Sequence, residues 1–250
     1  MTRTVRRRLF LSAAAIFATV LLAGFRGLAT FGEFQGAYGS SLNRVAVGER
    51  HATNVVTAVV YDYRGVDTMG EESILFGATI GVALLLRRTR GERERRFGSR
   101  AAVRSSSRSE AIEIIGLALI GPIVLLGLSV VTHGSVTPGG GFQGGAVIAS
   151  AATLVFLTGG YAAFRRVDPI PMIDLAEGAG VGAYPIVGVT GLLAGSAFLA
   201  NVLPLGRAGD VVSGGTLFVL NLAVGLAVAA SMVLIVSELL EQTLAIRESR

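Results

Sequence analysis

Six uncharged apolar runs constrain this chain more than any other feature: approximately Leu9 to Phe25, Ser73 to Leu86, Ile112 to Val131, Ala146 to Phe164, Ala183 to Leu203 and Thr216 to Val236. A helix needs about 20 apolar residues to cross about 30 Å of hydrocarbon. Five of the runs meet that length, and the second recruits residues from Gly70 onward. Hydrophobic residues make up 52% of the 250 and charged residues only 16%, with a mean hydropathy of +0.64; a soluble domain carries about 25% charged residues. The expected fold is an all-α integral membrane protein of about six transmembrane helices.

All 22 basic residues are arginines, and their placement orients the six spans. Seventeen fall on one side: four from Arg3 to Arg8, nine from Arg87 to Arg108, then Arg165, Arg166, Arg247 and Arg250. Arg26, Arg44, Arg50, Arg64 and Arg207 fall on the other. Basic residues resist translocation, so both termini are expected on the cytoplasmic side of the cell (inner) membrane. The pI near 10.4 reflects these flanks, so it indicates topology rather than a nucleic-acid surface.

The segment 87–108, "RRTRGERERRFGSRAAVRSSSR", reads as a solvated cytoplasmic linker. It divides a two-span module, residues 1–86, from a four-span domain, residues 109–250. The absence of cysteine excludes a disulfide framework and cysteine-based metal or redox centres. Arg7-Arg8-Leu9-Phe10-Leu11 before an alanine-rich run also suits an export signal, yet five further spans favour an uncleaved first helix. Between spans one and two, Asn54 to Gly70 is too short to cross and reads as an outer interfacial or re-entrant helix ending at Gly65. Asp168 to Gly182 reads as a cytoplasmic surface loop. Gly191 to Gly195 forms a G-x-x-x-G packing signal.

The stretch "TPGGGFQGG", Thr137 to Gly145, matches the dinucleotide fingerprint formally through Gly139, Gly141 and Gly144. No strand pattern precedes it and an apolar span follows, so the dinucleotide reading fails. Pro138 and the successive glycines break the helix between spans three and four. Two readings stay open: an inert hairpin, or a dipped turn whose backbone groups line a wet cavity.

The adjoining residues resemble a known family. "HGSVTPGGGFQGG", His133 to Gly145, resembles the signature loop of the MnhB (MrpB) subunits of the Mrp (Mnh) multisubunit sodium/proton antiporters and its counterpart in membrane-bound hydrogenases. Ser135 stands where the family usually has a histidine. "NVVTAVVYDYRGVDTMGEE", Asn54 to Glu72, resembles a segment near the C-terminus of the large MnhA-type antiporter subunits, which is a separate small protein in the hydrogenase complexes. Asn54, Asp62, Arg64, Gly65, Asp67, Thr68, Gly70 and Glu71 match it. The resemblance implies a fusion of that small module to an MnhB-like domain, with the arginine linker as the seam.

Chemistry-bearing residues are few. Glu71, Asp62, Asp67, His133 and Gln143 are the candidate ion-pathway residues. Arg64, Pro138, Gly139, Gly140, Gly141 and Phe142 form the structural motif. An arginine between two carboxylates, Asp62 and Asp67, can order a turn, and Glu71 and Glu72 suit a helix N-terminus. Histidine as a residue type suits proton exchange, which makes His133 a candidate, while His51 lies in a polar outer loop. Asn201 and Asn221 fall in the last two spans, where buried amides bond between helices. Glu113 and Glu238 sit at the cytoplasmic boundary, and no charged residue falls near a span centre. No triad of spaced Ser, His and Asp is present.

The expected role is therefore not enzymatic. It is that of an accessory subunit of a cation/proton antiporter complex, contributing to assembly and lining an ion passage, with no cofactor, cofactor-binding residue or bound metal. Its expected partners are large antiporter-like and small membrane subunits, the lipid bilayer, Na+ and H+. The alternatives are a membrane-arm subunit of a redox-driven pump and a scaffold-only subunit.

Overall fold

A computed structural model describes residues 3–27, 36–86, 110–167 and 170–248. The arginine linker lies outside the described residues. Met1–Ser41 and Leu42–Arg250 form two compact units. In the first, α1 (Arg3–Phe25) is long and apolar enough to cross a bilayer, and its apolar side chains are exposed.

The second unit begins within α2 (Ala37–Arg50), a helix that no apolar run marks in the sequence. Leu42 and Ala46, four apart, share its buried face. Then come the short α3 (Val55–Ala58), a π-turn (Val59–Tyr63), and α4 (Gly65–Leu85). The expected interfacial segment is thus α3 and the π-turn, ending at Arg64, and the second span starts at Gly65 rather than Ser73. Asn54 caps α3, its side chain accepting a bond from Thr57 N.

The remaining helices are α5 (Glu110–Thr132), α6 (Gly141–Val167, interrupted at Gly160 with φ 75°), α7 (Ile170–Leu193) and α8 (Thr216–Glu248). Strand is absent among the described residues. Among the described residues, five helices are long and apolar enough to cross a membrane: α1, α4, α5, α6 and α8. The fold is all-α and multi-pass.

The fifth apolar run differs from its helix. The sequence predicts a span from Ala183 to Leu203 after a loop from Asp168 to Gly182, but the helix runs from Ile170 to Leu193. Pro171 lies in the first helical turn, where an amide has no intrahelical acceptor to lose. At the other end Gly195, with φ 76°, closes the helix: its N–H bonds Leu192 O at 2.9 Å and the Ser196 N–H bonds Gly191 O at 3.0 Å. This paired pattern is a Schellman stop. The G-x-x-x-G of Gly191 to Gly195 is therefore a helix terminus, not a helix-packing motif. Asn201 consequently lies in the loop after α7, not in a span.

Helix α8 is the axis of the second unit. It packs on α4, α5, α6 and α7, and 61% of its apolar window is buried, against 17% for α4 and for α5. A Cβ on Gly141 would lie 2.6 Å from Asn221 O, and one on Gly145 would lie 2.8 Å from Gly225 O. These two glycines let α6 meet α8 backbone to backbone, which dispersion favours where lipid provides no hydrophobic drive.

Candidate turn and buried carboxylate sites

The helix break expected between α5 and α6 is a folded turn, His133 to Gly140, held from two sides. Gly139 and Gly140 adopt φ of 125° and 141°, conformations that L side chains rarely take. From α8, Asn221 Oδ1 accepts the N–H of Gly141 at 3.0 Å, satisfying an orphan amide at the start of α6. Asn221 Nδ2 donates to Leu217 O at 3.0 Å. The asparagine expected to join helices does so at the turn itself.

The other side is held by the segment before α3. Asn54 Nδ2 faces the carbonyl oxygens of Gly134 at 2.8 Å, Thr137 at 2.9 Å and Gly139 at 3.4 Å. Its own N–H donates to Ser135 O at 3.1 Å. Thr57 Oγ1 donates to Gly134 O at 2.6 Å and Thr53 Oγ1 to Val136 O at 2.8 Å. The two stretches that carry the sequence resemblance are thus in direct contact. Ser135 is buried, and its Oγ has no hydrogen-bond partner.

Beside this junction lies an ionic network. Arg50 Nε donates to Asp62 Oδ1 at 2.7 Å, and Asn201 Nδ2 donates to Asp62 Oδ2 at 3.1 Å. Asn201 also donates to Gly214 O and accepts from Thr216 N, tying the loop after α7 to the start of α8. The Arg50 guanidinium stacks 4.9 Å from the Tyr63 ring centre. Tyr63 Oη donates to Glu49 Oε2 at 2.6 Å. Lost solvent, then the bond to Glu49, push the Tyr63 phenol up to about 12.

This corrects the expected arginine sandwich. Arg64 pairs with Asp67 alone, and both are more than half exposed, while Asp62 is taken by Arg50 from α2. The π-turn inserts an extra residue per turn, directing Tyr61 inward to burial and Asp62 toward Arg50.

The other sequence candidates are dispersed. Glu71 and Gln143 are exposed, and Pro138 is exposed on the turn. His133 is half-buried, with Nδ1 2.9 Å from Ser129 O and 3.2 Å from Thr132 Oγ1. His51 Nδ1 lies 2.7 Å from Gly206 O. Phe142 packs against the core containing Tyr61 and Tyr184. Among the described residues, no group of three His, Cys, Asp or Glu side chains could hold a metal ion.

Two carboxylates within helices escape the sequence pattern. Glu72, eighth in α4, is 2% exposed, and neither oxygen has a hydrogen-bond partner. Glu177, eighth in α7, is 6% exposed and accepts a bond from Ser231 Oγ at 2.5 Å. Both lie inside helices rather than at their ends, Glu72 eighth of 21 residues and Glu177 eighth of 24, because α4 and α7 start earlier than the apolar runs suggest. Tyr61 and Tyr184 are buried with ring centres 6.3 Å apart, and Tyr184 Oη donates to Gly65 O, at the start of α4, at 2.9 Å.

Comparison with known proteins agrees with this geometry. Residues 111–234 match the family described as a domain related to the MnhB subunit of Na+/H+ antiporter, and residues 38–99 match MbhE, a family of MBH subunits. The uncharacterized protein MJ1307 of Methanocaldococcus jannaschii is 27% identical over 215 residues, covering 76% of this chain and 78% of that protein. A chain in the structure of the membrane-bound sulfane sulfur reductase, an archaeal respiratory membrane complex, is 29% identical with a TM-score of 0.69. The match covers 94% of this chain and 98% of that one. A chain of the Mrp complex from Dietzia sp. DQ12-45-1b shares the fold at 24% identity and a TM-score of 0.67; 96% of this chain matches 26% of that longer one. The chain is thus a multi-pass membrane protein whose residues 111–234 match the MnhB-related domains and whose residues 38–99 match the MbhE family.

Proposed function

We propose that this chain is an accessory membrane subunit of a multisubunit Na+(cation)/H+ antiporter, in which it supports assembly and lines an ion passage at the glycine turn. The observation that carries this reading is the turn itself. Asn54 and Thr57 from one homologous segment and Asn221 from the other fix its backbone. Irregular backbone at membrane depth is tolerated where it is enclosed by protein or lines a water-filled cavity. The MnhB relationship gives the turn its context.

In this reading the exposed Glu71, Asp67 and Gln143 face partner subunits or the passage, and His133 lies at its rim. Asp62, engaged by Arg50 and Asn201, orders the junction. The chain catalyses no covalent chemistry and requires no cofactor. Both termini lie in the cytoplasm and the bilayer is the cell membrane, since the arginines concentrate on that side.

A second reading places the chain in a redox-driven ion pump, favoured by the 29% identity over 98% of a respiratory-complex chain. Mass spectrometry of the complex, gently solubilised from its own membrane, separates the two. The antiporter reading expects large antiporter-like membrane subunits without iron–sulfur or nickel subunits. Finding those redox subunits overturns it. A scaffold-only role is overturned if Glu71→Gln or His133→Ala leaves assembly intact and abolishes cation-dependent transport.

A further inference from the structure

The most exacting feature of the bundle is an acid that has nothing to bond. Glu72 is 2% exposed and both its carboxyl oxygens are unpartnered. It sits seven residues into α4, about 10 Å along the axis. An isolated carboxylate in such surroundings is so costly that the group holds its proton instead.

Among the described residues, no cation pairs with Glu72. The π-turn contributes Tyr61 and α7 contributes Tyr184, both buried in one cluster and neutral as phenols. On α7, Glu177 lies about two turns before Tyr184 and is engaged by Ser231, with Asp174 nearer the helix start. The stretch of α8 from Thr216 to Ser237 holds no titratable residue. On α4 itself Glu71 is exposed, and Asp67 is paired with Arg64. Asp62, on the π-turn, is paired with Arg50. Tyr61 belongs to the buried cluster against which Phe142 packs, where the glycine turn becomes α6.

We propose that Glu72 is a proton-holding site: a buried, unpartnered neutral carboxyl that exchanges its proton with water at the glycine turn. On release, the carboxyl O–H bond breaks and the proton passes to a water molecule, which leaves as hydronium. The carboxylate left behind is reprotonated from water by the reverse step. The site rests on the reading of this chain as lining an ion passage and adds to it a residue that handles the proton.

Infrared spectroscopy of the intact complex in lipid tests this, comparing wild type with Glu72→Gln. The wild type is expected to show a protonated-carboxyl C=O band at neutral pH that shifts on deuteration and is missing from the variant. Glu72→Gln is expected to retain normal subunit stoichiometry and to slow cation-driven proton transport at least about tenfold. Absence of the band, or full-rate transport by the variant, overturns the site. Glutamine has the shape of the neutral acid, so failure of that variant alone to assemble also counts against a neutral Glu72. A wild-type complex that shows the band yet exchanges no cation for protons keeps Glu72 as a proton-holding group and overturns the antiporter reading instead.

Discussion

Asn221 on α8 accepts the Gly141 N–H at 3.0 Å, with its own residue fully buried. This one bond fixes where the glycine turn ends and α6 begins. Asn221→Leu keeps the volume and removes the acceptor, leaving a buried amide unpaired. We expect a loss of about 1–3 kcal/mol, read as a lowered Tm of the purified chain in detergent. An unchanged Tm would mean the amide finds another partner.

The glycines of the turn have no space for a methyl, whereas several on α4 do. A methyl on Gly141 would meet Asn221 O at 2.6 Å and Val224 Cβ at 2.7 Å, whereas Gly70 and Gly81 on α4 have nothing within 4 Å. Gly141→Ala is therefore expected to destabilise the fold by about 1–3 kcal/mol through forced backbone separation. Gly81→Ala should be neutral or stabilising, by up to about 1 kcal/mol. Thermal unfolding of both variants in one detergent checks the contrast.

Asp62 has a side chain 9% exposed and depends on Arg50 and Asn201. Removing Arg50 strands a nearly buried carboxylate, so Arg50→Ala should cost more than the double variant Arg50→Ala with Asp62→Asn. The coupling is expected to lie between about 0.5 and 3 kcal/mol in a double-mutant cycle. Arg64→Ala, which breaks an exposed pair, should cost no more than about 1 kcal/mol.

The contacts of Asn54, Thr53 and Thr57 with the turn should hold the two homologous segments together without a covalent link. A protease site placed in the arginine linker allows the chain to be cut after purification. The fragments are expected to co-migrate on size exclusion, and Asn54→Ala with Thr57→Val should release them. Separation of the unsubstituted fragments would show that the linker, not the junction, joins them.

Much of the fold is legible in the sequence because lipid imposes a strong length and polarity filter. Runs such as Ile112 to Val131 and Thr216 to Val236 have no other stable fate. The turn at Pro138 to Gly141 is legible because proline and clustered glycines leave a helix few ways to continue. Span five misleads: Pro171 opens a helix as readily as it breaks one, and Gly195 ends one, so the apolar run and the helix differ by about three turns. Glu71 and Glu72 show the limit most clearly. Neighbours on a helix point about 100° apart, and only the packing of α4 on α8 and α7 decides which acid is buried. The pairing of Asp62 with Arg50 rather than Arg64 is not legible in the sequence, because α2 and the π-turn have no distinctive pattern there.

Whether the glycine turn lines the ion passage can be measured directly, because the chain has no cysteine of its own. Gln143→Cys in the intact, membrane-embedded complex would be treated with an impermeant thiol reagent from either side, with cation-driven proton transport followed before and after. The prediction is modification from the side opposite the termini, with transport lost in the variant and unaffected in the wild type. Modification that leaves transport at its full rate, or that occurs only from the cytoplasmic side, would contradict it.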